Sequence, residues 1–301
     1  MKVEKFKNLF YKILNMANII LTGASGFLGT KIMSFLGRSN NLIITSSEQR
    51  QGFVTLDISQ KDSTIRTIEQ YKPDFIIHTA AYSNADECEG NPKKAYKINV
   101  EGTEHIAIAA AQIGAVLFHT SSVYIFDGRK GNYTENDESN PINVLGKTKL
   151  EGEKAIMRHL DVDSYVILRF PISYGYNGKG KNNAFFGQIM KGEPLSVNDD
   201  ELRQPLLVDD LAQIINEFMT KCIRGVFNVA GPQTMTKYRL GVKLEKLVRR
   251  ESVLIPVTSE HHYAPRPNHA TLNIRKLYDL NIKMRTLEEG IEVMKEQLRL
   301  Y

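Results

Sequence analysis

A chain of 301 residues is long enough for two average domains, yet an α/β sheet domain with a small lobe reaches this size as one unit around a sizeable core. Its net charge of +5 is spread along the sequence, which suits an anionic cofactor or substrate and gives no support to a nucleic-acid partner. Two cysteines far apart, Cys88 and Cys222, have neither metal nor redox spacing, so they read as ordinary thiols of a reducing, cytoplasmic protein; no apolar run approaches the ~20 residues that span a bilayer.

In residues 1–15, Val3, Phe6, Leu9, Phe10, Ile13 and Leu14 share one helical face, with Lys2, Lys5, Lys7 and Lys12 mainly around the other. This extension, taken as residues 1–16, is expected to pack locally. Peripheral contact with a membrane surface or a partner is the alternative, and liposome binding that survives deletion of residues 1–15 would exclude it.

The stretch Asn18-Ile-Ile-Leu-Thr-Gly-Ala-Ser-Gly-Phe-Leu-Gly29 follows, a short apolar strand that breaks into glycines three apart at Gly23, Gly26 and Gly29. Glycines at such a turn let the backbone approach a pyrophosphate, and the helix predicted over 27–38 presents its first free amides to it. Gly23, Ser25, Gly26, Phe27, Leu28 and Gly29 are therefore cofactor-binding candidates. The second strand, 41–46, ends in Thr45, Ser46 and Ser47 with Arg50 nearby. Dinucleotide folds that use NAD usually carry an acid there for the ribose hydroxyl; small hydroxyls and a guanidinium suit a 2′-phosphate, so NADP(H) is favoured over NAD(H), with Glu48 keeping NAD open. A short strand over 53–56 leads to Asp57 and Ile58, suited to the adenine amino group and ring face.

Helix 61–71 and strand 74–78 precede Thr79, Ala80, Ala81 and Tyr82, where small residues admit the cofactor backbone; His78 reads as a packed strand histidine. A helix is predicted over 92–113, with Asn99 near its middle, a place where asparagine is usually neutral or faces solvent. Strand 115–120 delivers Ser121-Ser-Val-Tyr-Ile-Phe-Asp-Gly128 at its carboxyl end, where open α/β sheets keep their ligands. A polar surface loop over 129–142, a helix over 143–159 and a strand over 165–170 complete the regular part. The alternation gives a Rossmann-type, doubly wound parallel sheet with right-handed crossovers. Beyond it come a glycine-rich loop at 175–180, a helix beginning near Asn183, strand then helix over 206–219, a strand over 225–230 and a helix over 236–249. They imply a smaller, discontinuous substrate lobe, residues 176–205 and 232–301, over a dinucleotide domain of residues 17–175 with return elements at about 206–231.

Several ordered motifs make the chain resemble the extended short-chain dehydrogenase/reductases. Within them it resembles the branch of dTDP-4-dehydrorhamnose reductases and the related regulatory β subunit of methionine adenosyltransferase. The motifs are Thr22-Gly-Ala-Ser-Gly-Phe-Leu-Gly29, His78-Thr-Ala-Ala81, Ser121-Ser-Val-Tyr-Ile-Phe-Asp-Gly128, Pro141-Ile-Asn-Val-Leu-Gly-Lys-Thr-Lys-Leu-Glu-Gly-Glu153, Leu168-Arg-Phe-Pro-Ile-Ser-Tyr-Gly175 and Arg266-Pro267. The resemblance implies a Ser/Thr, a Tyr and a Lys four residues later, the last two on one helix face. The lysine lowers the phenol pKa and holds the nicotinamide ribose, so the tyrosine can give its proton to a ketone as hydride arrives.

Here Ser122 and Lys149 occupy the matching positions, but Leu145 stands where the tyrosine is expected and Val123 where an acid is common. Three functions follow as alternatives: a nucleotide-sugar 4-ketoreductase with Tyr124, Tyr82, Tyr174 or a Ser122-held water as donor; a regulatory or scaffold subunit that binds NADP(H) beside a partner enzyme; and an epimerase. Of these the epimerase ranks last. The resemblance also assigns Asn99, Pro171 and Ile172 to the cofactor, and Ser122, Val123, Asn183, Arg203 and Arg266 to the substrate, both arginines being suited to phosphate. Homodimerisation is left open.

Overall fold

The computed structural model describes residues 16–178, 184–248 and 254–299. The extension at 1–15, Asn183 and the end of the 175–180 loop lie outside the described residues. The first half alternates strand and helix: β1 (Asn18–Thr22), α1 (Phe27–Leu36), β2 (Asn41–Ser46), β3 (Val54–Thr55), α2 (Lys61–Tyr71), β4 (Phe75–His78), α3 (Ala85–Gly90), α4 (Pro92–Tyr96), α5 (Gly102–Ile113), β5 (Val116–Thr120), α6 (Val144–His159) and β6 (Tyr165–Arg169). The second half has shorter strands: β7 (Ser173–Tyr174), α7 (Ala184–Lys191), β8 (Leu195–Asn198), β9 (Leu206–Leu207), α8 (Val208–Thr220), β10 (Gly225–Asn228), α9 (Lys237–Glu245), β11 (Leu254–Val257), α10 (Arg275–Asp279) and α11 (Leu287–Arg299). Among the described residues no helix is long and apolar enough to cross a membrane.

Seven strands form one parallel sheet in the order β10-β6-β5-β4-β1-β2-β3. The chain runs outward from β1 to β3, then returns to β4 and runs the other way, so the switch point lies between β1 and β4. Alternate strand residues feed two apolar layers. Ile19, Leu21, Phe75, Ile77 and Phe118 pack with Ile32 of α1 and Leu211, Ile215 and Phe218 of α8. Ile20, Ile76, Leu117 and Ile167 meet Ile68 of α2, Ile106 and Ala110 of α5 and Ile156 of α6. Both faces are covered, which is why these strands read as continuous apolar runs in sequence. A further core of Tyr174, Phe186, Ile189, Leu240, Leu244 and Met294 binds the pairs β8–β11 and β7–β9 to helices α7, α9 and α11.

Three local expectations need correction. The helix predicted over 92–113 contains a π-helical stretch, Lys97–Glu101, between α4 and α5; the wider turn carries Asn99 inward, where it is buried and not solvent-facing. Helix α3 escaped the sequence reading because it is short; Asn84 caps it by accepting from the amides of Asp86 and Glu87. The 129–142 segment is not wholly a surface loop. Tyr133 is buried, stacked on Phe126 at 4.3 Å, and the Glu135 carboxylate accepts from the Asn228 amide.

Candidate functional site

A cleft of about 830 Å³ opens along the carboxyl ends of the parallel strands and extends under the second lobe. At its inner end Gly23 adopts φ +69°, and a Cβ there would stand 2.6 Å from the amide nitrogen of Ala80. At Gly29 a Cβ would collide with the Gly23 carbonyl, so the turn and the helix close on each other only with glycine. Helix α1 starts at Gly26 with no side-chain cap and no acid in its first turn, leaving its opening amides and positive end directed at the cleft. Gly23, Ser25, Gly26, Phe27, Leu28 and Gly29 all line it.

Ser46, Ser47, Asp57, Ile58, Thr79, Ala80, Ala81, Pro171 and Ile172 line the same space. The Thr79 hydroxyl donates to the Thr22 carbonyl at 2.7 Å, fixing the small-residue wall. Three expected cofactor residues are placed elsewhere. Arg50 is exposed, its guanidinium 5.6 Å over the ring of Phe53. Tyr82 turns its ring beneath the Lys94 ammonium at 4.6 Å. Asn99 accepts from the Tyr82 amide and donates to the Tyr82 carbonyl, each at 2.9 Å, so it holds the wall from behind. These three fall outside the lining because side-chain direction depends on packing that proximity in sequence does not reveal.

Where β5 meets α6, Lys149, 5% exposed, donates to the Thr120 carbonyl at 2.8 Å. Burial pushes its pKa down to about 8, partly opposed by the Glu153 charge. Ser122 caps the 3-10 turn Val123–Ile125, accepting from the Tyr124 amide at 3.2 Å. Ser122, Val123, Tyr124, Leu145 and Lys149 all line the cleft. Leu145, one turn before Lys149 on α6, is 4% exposed and packs with Ala85, Cys88, Ala95 and Ala264. The position expected to donate a proton is an alkyl group in an apolar cluster.

The alternative donors separate clearly. Tyr174 is buried in the second lobe with its hydroxyl against Gly290, and burial pushes its pKa far up, so it does not face this chemistry. Tyr82 is outside the cleft lining, but it packs against the apolar cluster that holds Leu145. Tyr124 lies in the cleft, on the 3-10 turn and not on a strand with Ser122, its ring flanked by the guanidinium groups of Arg203 and Arg266 at 5.7 and 5.9 Å. The outer end adds residues missed in the sequence: Asn198, Glu201, Lys237 and His262 line it, and Asp86 pairs with Arg266 at 2.7 Å. Their only sequence signal was polarity within the irregular half of the chain.

The family described as RmlD substrate binding domain matches residues 16–300. The chain belongs to the RmlD substrate-binding domain family. Methionine adenosyltransferase 2 subunit beta of Rattus norvegicus is 32% identical over 282 residues, covering 89% of this chain and 84% of the relative. The dTDP-4-dehydrorhamnose reductase of Aggregatibacter actinomycetemcomitans is 29% identical over 280 residues, 87% of this chain and 92% of that protein. Among solved structures, the Bacillus anthracis dTDP-4-dehydrorhamnose reductase in complex with NADP superposes with a TM-score of 0.85 at 26% identity, over 94% of this chain and 99% of that one. The Thermus thermophilus UDP-glucose 4-epimerase, at 18% identity and a TM-score of 0.79 over 93% and 98% of the two chains, shares the fold.

Beneath the cleft this RmlD-family chain buries two histidines side by side, His78 and His119, with ring centroids 5.2 Å apart. His78 bonds Thr22 at 2.7 Å and Thr103 at 3.1 Å, which makes it the packed strand histidine expected. Burial, then the Lys149 charge, holds its pKa down at about 3; the same causes, joined by the His78 charge, hold His119 well below 6.5. The unfolded imidazoles take up protons near 6.5 and the folded ones do not. Their stabilising contribution is thus complete above pH 6.5 and is lost as pH falls toward the folded values, by up to about 1.4 kcal/mol per pH unit for each ring. Urea unfolding at pH 7.5, 6 and 5 should show this decline. The slope should be shallower in His119→Leu, which removes one of the two rings, and since neither ring nitrogen of His119 has a partner among the described residues the substitution breaks no hydrogen bond there.

Proposed function

We propose that this RmlD-family chain binds NADP(H) at the inner end of its cleft and the nucleotide part of a nucleotide sugar at the outer end, and that its reduction of a 4-keto group is severely impaired. The observation that carries this reading is Leu145: the cleft, Ser122 and Lys149 are in place, while the proton-donating position is apolar and packed, and Val123 adds a second apolar side chain where an acid is common. NADP(H) is favoured over NAD(H) because Ser46 and Ser47 line the cleft at the end of β2 while Glu48 is exposed outside its lining. When bound, the nicotinamide supplies or accepts the hydride. The chain's own residues do the rest: the opening amides of α1 hold pyrophosphate, Lys149 holds the ribose, and Ser122 orients the carbonyl oxygen.

A second reading is a subunit that binds the nucleotide and works beside a partner enzyme. It is favoured by the likeness to methionine adenosyltransferase 2 subunit beta along 89% of the chain. Calorimetric titration with NADPH and NADH, followed by NADPH oxidation with a dTDP-4-keto-6-deoxy sugar, tests both. Binding of NADPH in preference to NADH, with oxidation orders of magnitude below a normal reductase, is the expected result. Turnover at an ordinary enzyme rate would overturn the impaired-reductase reading, and a folded chain that ignores both dinucleotides would overturn the cofactor site.

A further inference from the structure

The segment that follows β11 crosses the mouth of the cleft, and its hold on the rest of the chain differs along its length. Both ends are fixed. At one end the Ser259 amide and hydroxyl each donate to the Asp200 carboxylate at 2.7 Å, and His262 Nε2 meets Asn198 Oδ1 of β8. At the other, the Asn268 carbonyl accepts from the Leu202 amide at 2.7 Å, and the His269 amide donates to the Gly128 carbonyl at 3.0 Å. Between them, residues 263–266 lie against the dinucleotide domain. Arg266 lines the cleft, Tyr263 is 70% exposed beside Gly90 of α3, and Ala264 is fully buried. Ala264 completes an apolar cluster whose other buried members, Ala85, Cys88, Ala95 and Leu145, all come from α3, α4 and α6. Asp86 of α3 fastens the same stretch: Oδ1 accepts from the Ala264 amide at 2.8 Å and Oδ2 from Arg266 Nη2 at 2.7 Å. Asn143, the cap of α6, donates Nδ2 to the Pro265 carbonyl at 2.8 Å.

We propose that residues 263–266 are a strap that closes the outer mouth of the cleft and opens as one unit, gating entry and release of the second ligand. This rests on the nucleotide reading of the outer cleft given above. One half-exposed carboxylate, one side-chain amide and one methyl group make a hold that breaks locally, while the fixed ends keep the segment in place. Pro265 and Pro267 stiffen the stretch, so the contacts of Ala264 and Arg266 are lost together. The cleft wall opens with them, because Arg266 is carried on the strap. Leu145 thereby belongs to the seat on which the second lobe closes.

Hydrogen exchange and binding kinetics on the full chain, with dTDP as probe, test this. Exchange of the Tyr263, Ala264 and Arg266 amides should slow when dTDP is added to the wild type. It should quicken about tenfold or more in Asp86→Ala and in Ala264→Glu, which puts a charge into the apolar seat, while β8 and β11 exchange as in the wild type. In both variants dTDP should associate and dissociate at least about fivefold faster, with NADPH affinity unchanged, because a gate limits passage in both directions. A rise in dissociation alone would make the segment a binding wall and refute the gate. Unchanged exchange in the variants, or faster exchange that spreads through β8 and β11, overturns the strap while the nucleotide reading stands. Should both variants lose NADPH binding through misfolding, the wild type decides: dTDP that leaves exchange of residues 263–266 unaltered overturns the proposal. If wild-type protein takes NADPH but not dTDP, the reading of the outer cleft falls and takes the gate with it.

Discussion

Replacing Leu145 with tyrosine is expected to raise ketone-dependent NADPH oxidation by ~10²–10⁴, the range a positioned proton donor contributes. The position is ready for it. Residue 145 lies one helical turn before Lys149, so the two side chains emerge from one face of α6, and both line the cleft. Lys149 is buried, anchored on the Thr120 carbonyl, and its charge favours a phenolate nearby. Leu145→Phe is the control for volume: it adds a ring without a hydroxyl and should gain nothing. Any residual turnover of the wild type should vanish in Tyr124→Phe if Tyr124 is the substitute donor, and persist if a water held by Ser122 performs that step. A Leu145→Tyr protein that folds, binds NADPH and shows no increase would mean that the cleft has diverged at more than the donor.

The second large effect concerns the buried carboxylate one turn beyond Lys149. Glu153, 1% exposed, accepts from Arg169 Nε at 3.1 Å and Nη2 at 2.7 Å and also from the Ser121 hydroxyl, tying α6 to the ends of β5 and β6. Arg169 in turn donates Nη1 to the Glu135 carbonyl at 3.0 Å. Removing either partner alone leaves an uncompensated charge in a dry site, so Glu153→Leu and Arg169→Met should each cost about 3–5 kcal/mol in urea unfolding. The double variant should lose much less than the sum, because it removes both charges together. Additive losses would show that the pair is not coupled, and that Ser121 and Glu135 carry the stabilisation instead.

Much of the fold was legible before any coordinates. Helix α2 has the predicted bounds, and β1, β2 and β5 fall within a residue or so of theirs, because buried parallel strands and amphipathic helices write their periods directly into the sequence. The parallel, doubly wound sheet followed from the alternation of strand and helix, whereas the order of its strands came only with the structure. The glycine turn was legible for a different reason: close approach and positive φ restrict the residue type itself. Side-chain destinations were harder. Asn99 reads as an ordinary helix asparagine until the π-helical turn rotates it against Tyr82, and Tyr174 reads as a candidate donor until the second lobe closes over it. Lys237 and Glu201 carry no motif, and they join the cleft only because distant, irregular segments fold across the sheet.

By itself, then, the sequence determined the parallel sheet, the glycine turn and the alkyl side chain at position 145, since each depends on local conformation or on the chemistry of one side chain. The tertiary structure decided which polar groups share the cleft and which segment of the second lobe crosses its mouth. Those outcomes depend on contacts between segments up to 180 residues apart, as between Asp86 and Arg266, where burial and charge are set by neighbours that no local pattern names.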